Sequence, residues 1–333
     1  MVIEPNRADP HDAPKHRHAT EATMRSDATL ATLGEQLAQS TDGIRAFVVV
    51  RDGRTLFEHF RHDVQPSDLQ EINSVTKSVV GMLAGIALRV GALRDMQQVI
   101  GEFLPEARSR GVDERVRNIT IEQLLTMTSG FDWDERTVDE CLLGACSRLG
   151  GERLRFILSR PLAYAPGTHF NYDSHATHLL SIVLARATGR ALDRFAHEAL
   201  FDPLDIERCE WIVDEEGYAF AGRGLSLTTR DMAKLGLVML SGGEWQGKRL
   251  LDESYAREAA MPHSAGGWPV DDARYGYLWW VEPRGCFATG FGEQYIFVVP
   301  EERIVAAVSS DNNKAPKHAR SLFDKYVRDA RAG

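Results

Sequence analysis

The chain has no cysteine pair at metal-binding spacing. Its four cysteines, Cys141, Cys146, Cys209 and Cys286, form no CxxC, which argues against a zinc site. Four thiols are also a thin disulfide framework for 333 residues, so reduced thiols are expected. Positive charge is in deficit: 39 Lys and Arg against 48 Asp and Glu leave a net charge of −9. Nucleic-acid binders carry the opposite balance or a dense basic stripe, so that partner is excluded. Long apolar runs are missing too. The longest, Val79 to Leu88, is too short to span a bilayer. The polar N-terminus has no apolar h-region of a secretory signal. The expectation is a cytoplasmic protein, or a periplasmic or secreted one whose signal has been removed, with neither nucleic acid nor membrane as partner. Internal repeats and low-complexity segments are also lacking.

What is present is ordinary globular composition, 43% hydrophobic and 26% charged, in a length that suits one large domain or two smaller ones. Residues 1–27 read as a disordered tail, with His11, His16 and His18 solvated rather than metal-bound. Leu30, Leu33 and Leu37 recur at helical spacing. Ile44 to Arg51 and Arg54 to Phe60 read as strands joined at Asp52-Gly53. The middle of the chain reads as helix and loop. It has a capped helix at Thr120 with Gln123 in the capping-box position, and helices over 150–160, His175 to Ala187, Ala191 to Leu200 and Thr229 to Leu240. Tyr277 to Val281, Cys286 to Thr289, Gln294 to Val299 and Arg303 to Ser309 read as a strand meander, closed by a helix over 315–331. Strands at both ends with helices between predict the α+β class. Residues 28–72 and 265–333 would share one antiparallel sheet domain, and 73–264 would form a mostly helical inserted domain.

Glu71 to Leu88 is a helix apolar on nearly every side, as a buried helix is. Its first turn carries Ser74 and Lys77, which share a helix face at i, i+3. A hydroxyl and an amine thus meet at a helix mouth, where N–H groups are expected free and the dipole end is positive. A serine becomes a good nucleophile when a base removes its proton. A lysine is such a base in its neutral form, which burial favours. The alternative is a serine that caps the helix and a lysine that snorkels. Tyr172 ends a loop just before a helix, where its hydroxyl can relay a proton into a cleft, or its ring can simply pack the loop. Cys286 to Gln294 brings a strand into the glycine-rich turn Gly290-Phe291-Gly292. Such a turn can aim N–H groups at an oxyanion, or be a plain hairpin. His175 and His178 form an HxxH without an evident third ligand and read as structural. Trp279-Trp280 reads as strand packing, and Asp132 and Trp133 as loop structure.

Ser74-Val75-Thr76-Lys77, Tyr172-Asp173-Ser174 and Ala288-Thr289-Gly290, in that order, resemble the three motifs of the serine β-lactamase-like superfamily. That superfamily includes penicillin-binding proteins, class C β-lactamases and esterases. The chain is most similar to its 6-aminohexanoate-oligomer hydrolase and esterase branch. Leu124 to Trp133, Gly224 to Ala233 and Gly290 to Tyr295 agree as accessory stretches. The resemblance implies a five-stranded antiparallel sheet flanked by the terminal helices, plus a mostly helical domain, with the site between. It implies that Ser74 is acylated, that Lys77 takes its proton and that Tyr172 protonates the leaving group and activates water. The backbone N–H groups of Ser74 and Phe291 would form the oxyanion hole, and Ser174, Ala288, Thr289 and Gly290 would bind substrate. No metal and no organic cofactor is implied. The substrate would be a small-molecule ester or amide. The second motif often ends in Asn, here Ser174, and the third often begins with Lys or His, here Ala288. The missing cation shifts the expectation away from β-lactams. A β-lactamase or D-Ala-D-Ala peptidase, and a catalytically silent peptide-binding relative, are the alternatives.

Overall fold

The computed structural model describes residues 28–39, 43–137, 152–311 and 318–328. The expected tail, its three histidines, Cys141 and Cys146 lie outside the described residues. The first helix, α1 (28–39), buries Leu30, Leu33 and Leu37, the three residues at helical spacing. The hairpin strands follow as β1 (Ile44–Arg51) and β2 (Arg54–Phe60), and a short strand, β3 (Gln70–Glu71), leads into α2 (Val75–Arg89). The middle carries α3 (Ile121–Leu125), α4 (Arg153–Leu158), α5 (Ser174–Thr188), α6 (Leu192–Ala196), β4 (Glu210–Trp211), β5 (Leu225–Leu227) and α7 (Thr229–Leu240). Then come β6 (Glu244–Trp245), β7 (Lys248–Arg249), α8 (Glu253–Ala259), β8 (Arg274–Tyr275), β9 (Trp280–Glu282), β10 (Gly285–Gly290), β11 (Gln294–Val299), β12 (Ile304–Ser310) and α9 (His318–Phe323).

Both chain ends meet in one antiparallel sheet, β2-β1-β12-β11-β10-β9-β8. It has seven strands, where the resemblance implied five and the residue pattern six. The unexpected one, β8, is only two residues long, too short for a period-2 pattern to announce it. The strand expected from Tyr277 begins instead at Trp280. Period-2 alternation divides the sheet's two faces. On one, Ile296 and Val305 pack against α7, where a β-carbon on Gly236 would lie 2.6–2.8 Å from them. On the other, Phe297 stacks on Phe323 of α9 with ring centroids 4.0 Å apart.

The central element is α2. Every residue from Val75 to Ala87 is buried. Small residues let its neighbours come close. A β-carbon on Gly81 would lie 2.8 Å from the Tyr277 carbonyl oxygen, and one on Gly85 would lie 2.3 Å from the Tyr255 ring. Ser78 donates to the Leu278 carbonyl (2.6 Å) and Tyr255 donates to that of Gly81 (2.6 Å). The segment before β9 and helix α8 therefore grip α2 by backbone as well as by side chain. Gly91, with φ +76°, follows the helix end in the left-handed conformation that glycine adopts without strain. Among the described residues no helix is long and apolar enough to cross a membrane.

Candidate active site

Ser74 stands at the N-cap of α2 with helical backbone angles (φ −68°, ψ −7°), and its side chain makes no capping bond. The N–H groups of Val75, Thr76 and Lys77 donate to the carbonyls of Ile72, Asn73 and Ser74 at 3.1, 3.0 and 3.0 Å. A tight backbone turn thus replaces the cap. The expectation of free N–H groups is corrected for these three. Because the turn satisfies them, the Ser74 hydroxyl carries no structural duty.

That hydroxyl faces Lys77 instead. Lys77 is 1% exposed. Its Nζ lies 2.9 Å from Ser74 Oγ, donates to the Gly222 carbonyl at 2.8 Å and sits 4.7 Å from the centre of the Tyr172 ring. Snorkelling is ruled out by this burial. Gly222 reaches Lys77 through the small sheet β3-β5-β4. There Glu71 pairs with Ser226, and Ile72 donates to Leu225 at 2.9 Å. The same pairing anchors the chain just before Ser74 and just after Gly222.

Tyr172 precedes α5, on a loop zipped to residues 127–133. Asn171 donates from its backbone to Met127 (2.8 Å) and from its side chain to the carbonyls of Phe131 and Trp133 (3.2 and 2.9 Å). The Tyr172 ring stacks on Trp280 and meets Trp268 edge-on, both at 6.1 Å. Asp173 caps α5, its Oδ1 accepting from His175 N and Ala176 N at 2.9 Å each. Burial pushes the Asp173 carboxyl up to about 6, against the opposing pull of Arg160.

The third segment arrives on β10. A β-carbon on Gly290 would lie 2.5 Å from the Ile72 oxygen and 2.9 Å from Ser74 N. Only a glycine lets the strand end lie this close to the serine's own backbone. Asn73 fastens the contact, donating from Nδ2 to the Phe291 carbonyl at 2.9 Å. It does so from the left-handed conformation (φ +49°), which Asn tolerates better than most residues. Phe291 itself is 70% exposed. Ala288 lies two residues before Gly290 and so on the same strand face; it is buried. Thr289 is half-buried on the opposite face, with a side-chain hydrogen bond to Tyr295.

The structure thus brings together Ser74, Lys77, Tyr172 and Gly290, with Phe291 at the rim. Ser174 is placed differently from a substrate contact. It is buried, and its hydroxyl donates to Glu135. His175 and His178 are buried within α5. His175 packs on Trp133 at 4.2 Å, and His178 Nε2 lies 2.9 Å from Asp214. Burial, helped by the Arg160 charge, pushes the His175 imidazole down to about 2, and burial lowers His178 as well. Among the described residues no group of three potential metal ligands converges. Trp279 and Trp280 are buried, and Trp280 backs the Tyr172 ring. Asp132 is exposed, whereas Trp133 is buried under the Arg160 guanidinium at 4.1 Å. Asn73, Gly222 and Glu135 were not singled out from the sequence. Asn73 carries one local sign, an Asn directly before a helix start. The other two gain their meaning only from long-range packing.

The sequence pattern of the beta-lactamase family matches residues 31–329. The 6-aminohexanoate-dimer hydrolase of Paenarthrobacter ureafaciens is 29% identical over 93% of this chain and 83% of its own length. Esterase EstB of Burkholderia gladioli is 29% identical over 50% of this chain and 47% of its own. The solved structure of EstCE1, titled a hydrolase with promiscuous acyltransferase activity, superposes with a TM-score of 0.75 at 17% identity, over 90% of this chain and 99% of that one.

Proposed function

The chain belongs to the beta-lactamase family of serine hydrolases, and from that premise we propose that it cleaves small esters or amides through an acyl-enzyme on Ser74. The observation that carries the reading is the Ser74 hydroxyl, released from capping and 2.9 Å from the buried Lys77 amine. In this mechanism Ser74 Oγ bonds to the substrate carbonyl carbon while Lys77 takes its proton. The backbone N–H groups of Ser74 and Phe291 receive the oxyanion, the close approach of Gly290 to Ser74 N favouring that pairing. The bond to the leaving oxygen or nitrogen breaks as Tyr172 supplies a proton. Water then attacks the acyl carbon as Tyr172, having given up its own proton, takes one from it; the bond to Ser74 Oγ breaks, Lys77 returns its proton to Oγ, and the acid leaves.

Ala288 supports esters and simple amides over β-lactams, because it offers no charge to a substrate carboxylate. The names of the hydrolase and esterase relatives agree with that substrate class. The test is a panel of p-nitrophenyl butyrate, an amino-acid amide, 6-aminohexanoate dimer and nitrocefin, run on the wild type and Ser74→Ala. Ester or amide turnover should fall by about 10³-fold or more in the variant. Full activity in Ser74→Ala ends the reading, and preferred turnover of nitrocefin replaces the substrate class.

A further inference from the structure

Glu135 sits in the loop after α3, 39 positions before Ser174, yet its carboxylate is devoted to that residue and one neighbour. Oε2 accepts from Ser174 N at 3.1 Å and from Trp133 Nε1 at 2.5 Å. Oε1 accepts from the Ser174 hydroxyl. The grip is not needed to start the helix, because Asp173 already caps α5. What it fixes is the Ser174 side chain, and that side chain packs on Gly222. A β-carbon on Gly222 would lie 2.9 Å from Ser174 Cβ and 3.2 Å from its Oγ. The Gly222 carbonyl in turn accepts from Lys77, whose other partner is Ser74 Oγ. An unbroken run of direct contacts therefore joins Glu135 to the nucleophile through Ser174, Gly222 and Lys77.

We propose that Glu135 is a positioning residue for Lys77, setting through Ser174 the location of the Gly222 carbonyl that holds the lysine amine. The inference rests on the reading of Lys77 as the base. A carboxylate suits the task. It accepts both Ser174 bonds and the indole bond at once, and its charge sits by the positive end of α5. Catalytic geometry is sensitive to small shifts, and a misplacement of about 1 Å can cost about 10²-fold in rate. The loss should fall on kcat, because the residue touches no substrate.

The test measures kcat and KM for p-nitrophenyl butyrate on the full chain, with Glu135→Ala, Glu135→Gln, Ser174→Ala and the Glu135→Ala/Ser174→Ala double variant. Glu135→Ala should lower kcat about 10- to 100-fold with KM within about twofold. Glu135→Gln should recover most of that loss, its amide oxygen accepting from Ser174 N and Trp133 Nε1 while its amide nitrogen donates to Ser174 Oγ. The double variant should be no worse than either single one, because both break the same link. If Glu135→Ala does not fold, Ser174→Ala decides: an equal kcat loss supports the link, and an unchanged kcat overturns it. A wild-type kcat in Glu135→Ala, a loss Glu135→Gln does not rescue, or additive losses in the double variant also overturn it. Failure of the base reading itself would show separately, as a wild-type kcat in Lys77→Met.

Discussion

Helices α2 and α7 both begin on a hydroxyl residue and use it in opposite ways. Thr228 has the extended backbone of an N-cap (φ −74°, ψ 155°), and its side chain accepts from Asp231 N at 3.1 Å. Ser74 has helical angles and caps nothing; its hydroxyl meets Lys77. The difference comes from what precedes each residue. Before α2, the left-handed Asn73 lets the chain turn tightly enough for backbone carbonyls to satisfy the first N–H groups. Thr228 serves the helix start, whereas the Ser74 hydroxyl makes no capping bond. The buried polar groups of α5 side with Thr228, since Asp173 caps and His175 and His178 pack.

The comparison sharpens if the fold-serving groups govern stability and the α2 pair does not. The larger effect should come from the α5 histidines. Burial lowers both in the folded protein from the ordinary value of about 6.5. Below that pH the unfolded chain binds more protons than the folded one, so stability is present above it and falls as the pH drops. The slope is up to about 1.4 kcal/mol per pH unit for each histidine. Asp173, raised to about 6, works the other way between about pH 4 and 6, but it is one group against two. Urea midpoints at pH 7 and pH 5 should therefore differ, with the acid side weaker. His175→Phe, which keeps the packing on Trp133 and Phe156, should reduce the difference. Equal midpoints would break this part of the comparison.

The smaller effect is the direct contrast of the two hydroxyls. Thr228→Ala should cost about 1 kcal/mol of stability, as a lost N-cap does. Ser74→Ala should change stability by no more than about 0.5 kcal/mol, because no capping bond is lost. Equal losses in a denaturant titration would mean that Ser74 caps after all.

Much of the frame was legible because it rests on local rules. The aromatic and β-branched run of β11 and the capping box at Thr120 mark their elements without help from the rest of the chain. The hairpins and helices without such marks were not legible. Strands β6 and β7 are two residues each, and α8 is seven residues in a stretch with no clear period. The site divides the same way. Ser74, Lys77, Tyr172 and Gly290 carry their signal in short spacings, whereas Gly222 and Glu135 act through partners 145 and 39 positions away. Ser174 lies where the resemblance implied a substrate contact, and packing places its hydroxyl against Glu135.

Ser74 is proposed as a nucleophile activated by Lys77. Reaction with a fluorophosphonate, followed by mass mapping of the adduct in the wild type and in Lys77→Met, tests it most directly. An adduct is expected on Ser74, formed about 10²- to 10⁴-fold more slowly once the base is removed. An adduct on another residue, or an equal rate in Lys77→Met, would contradict it.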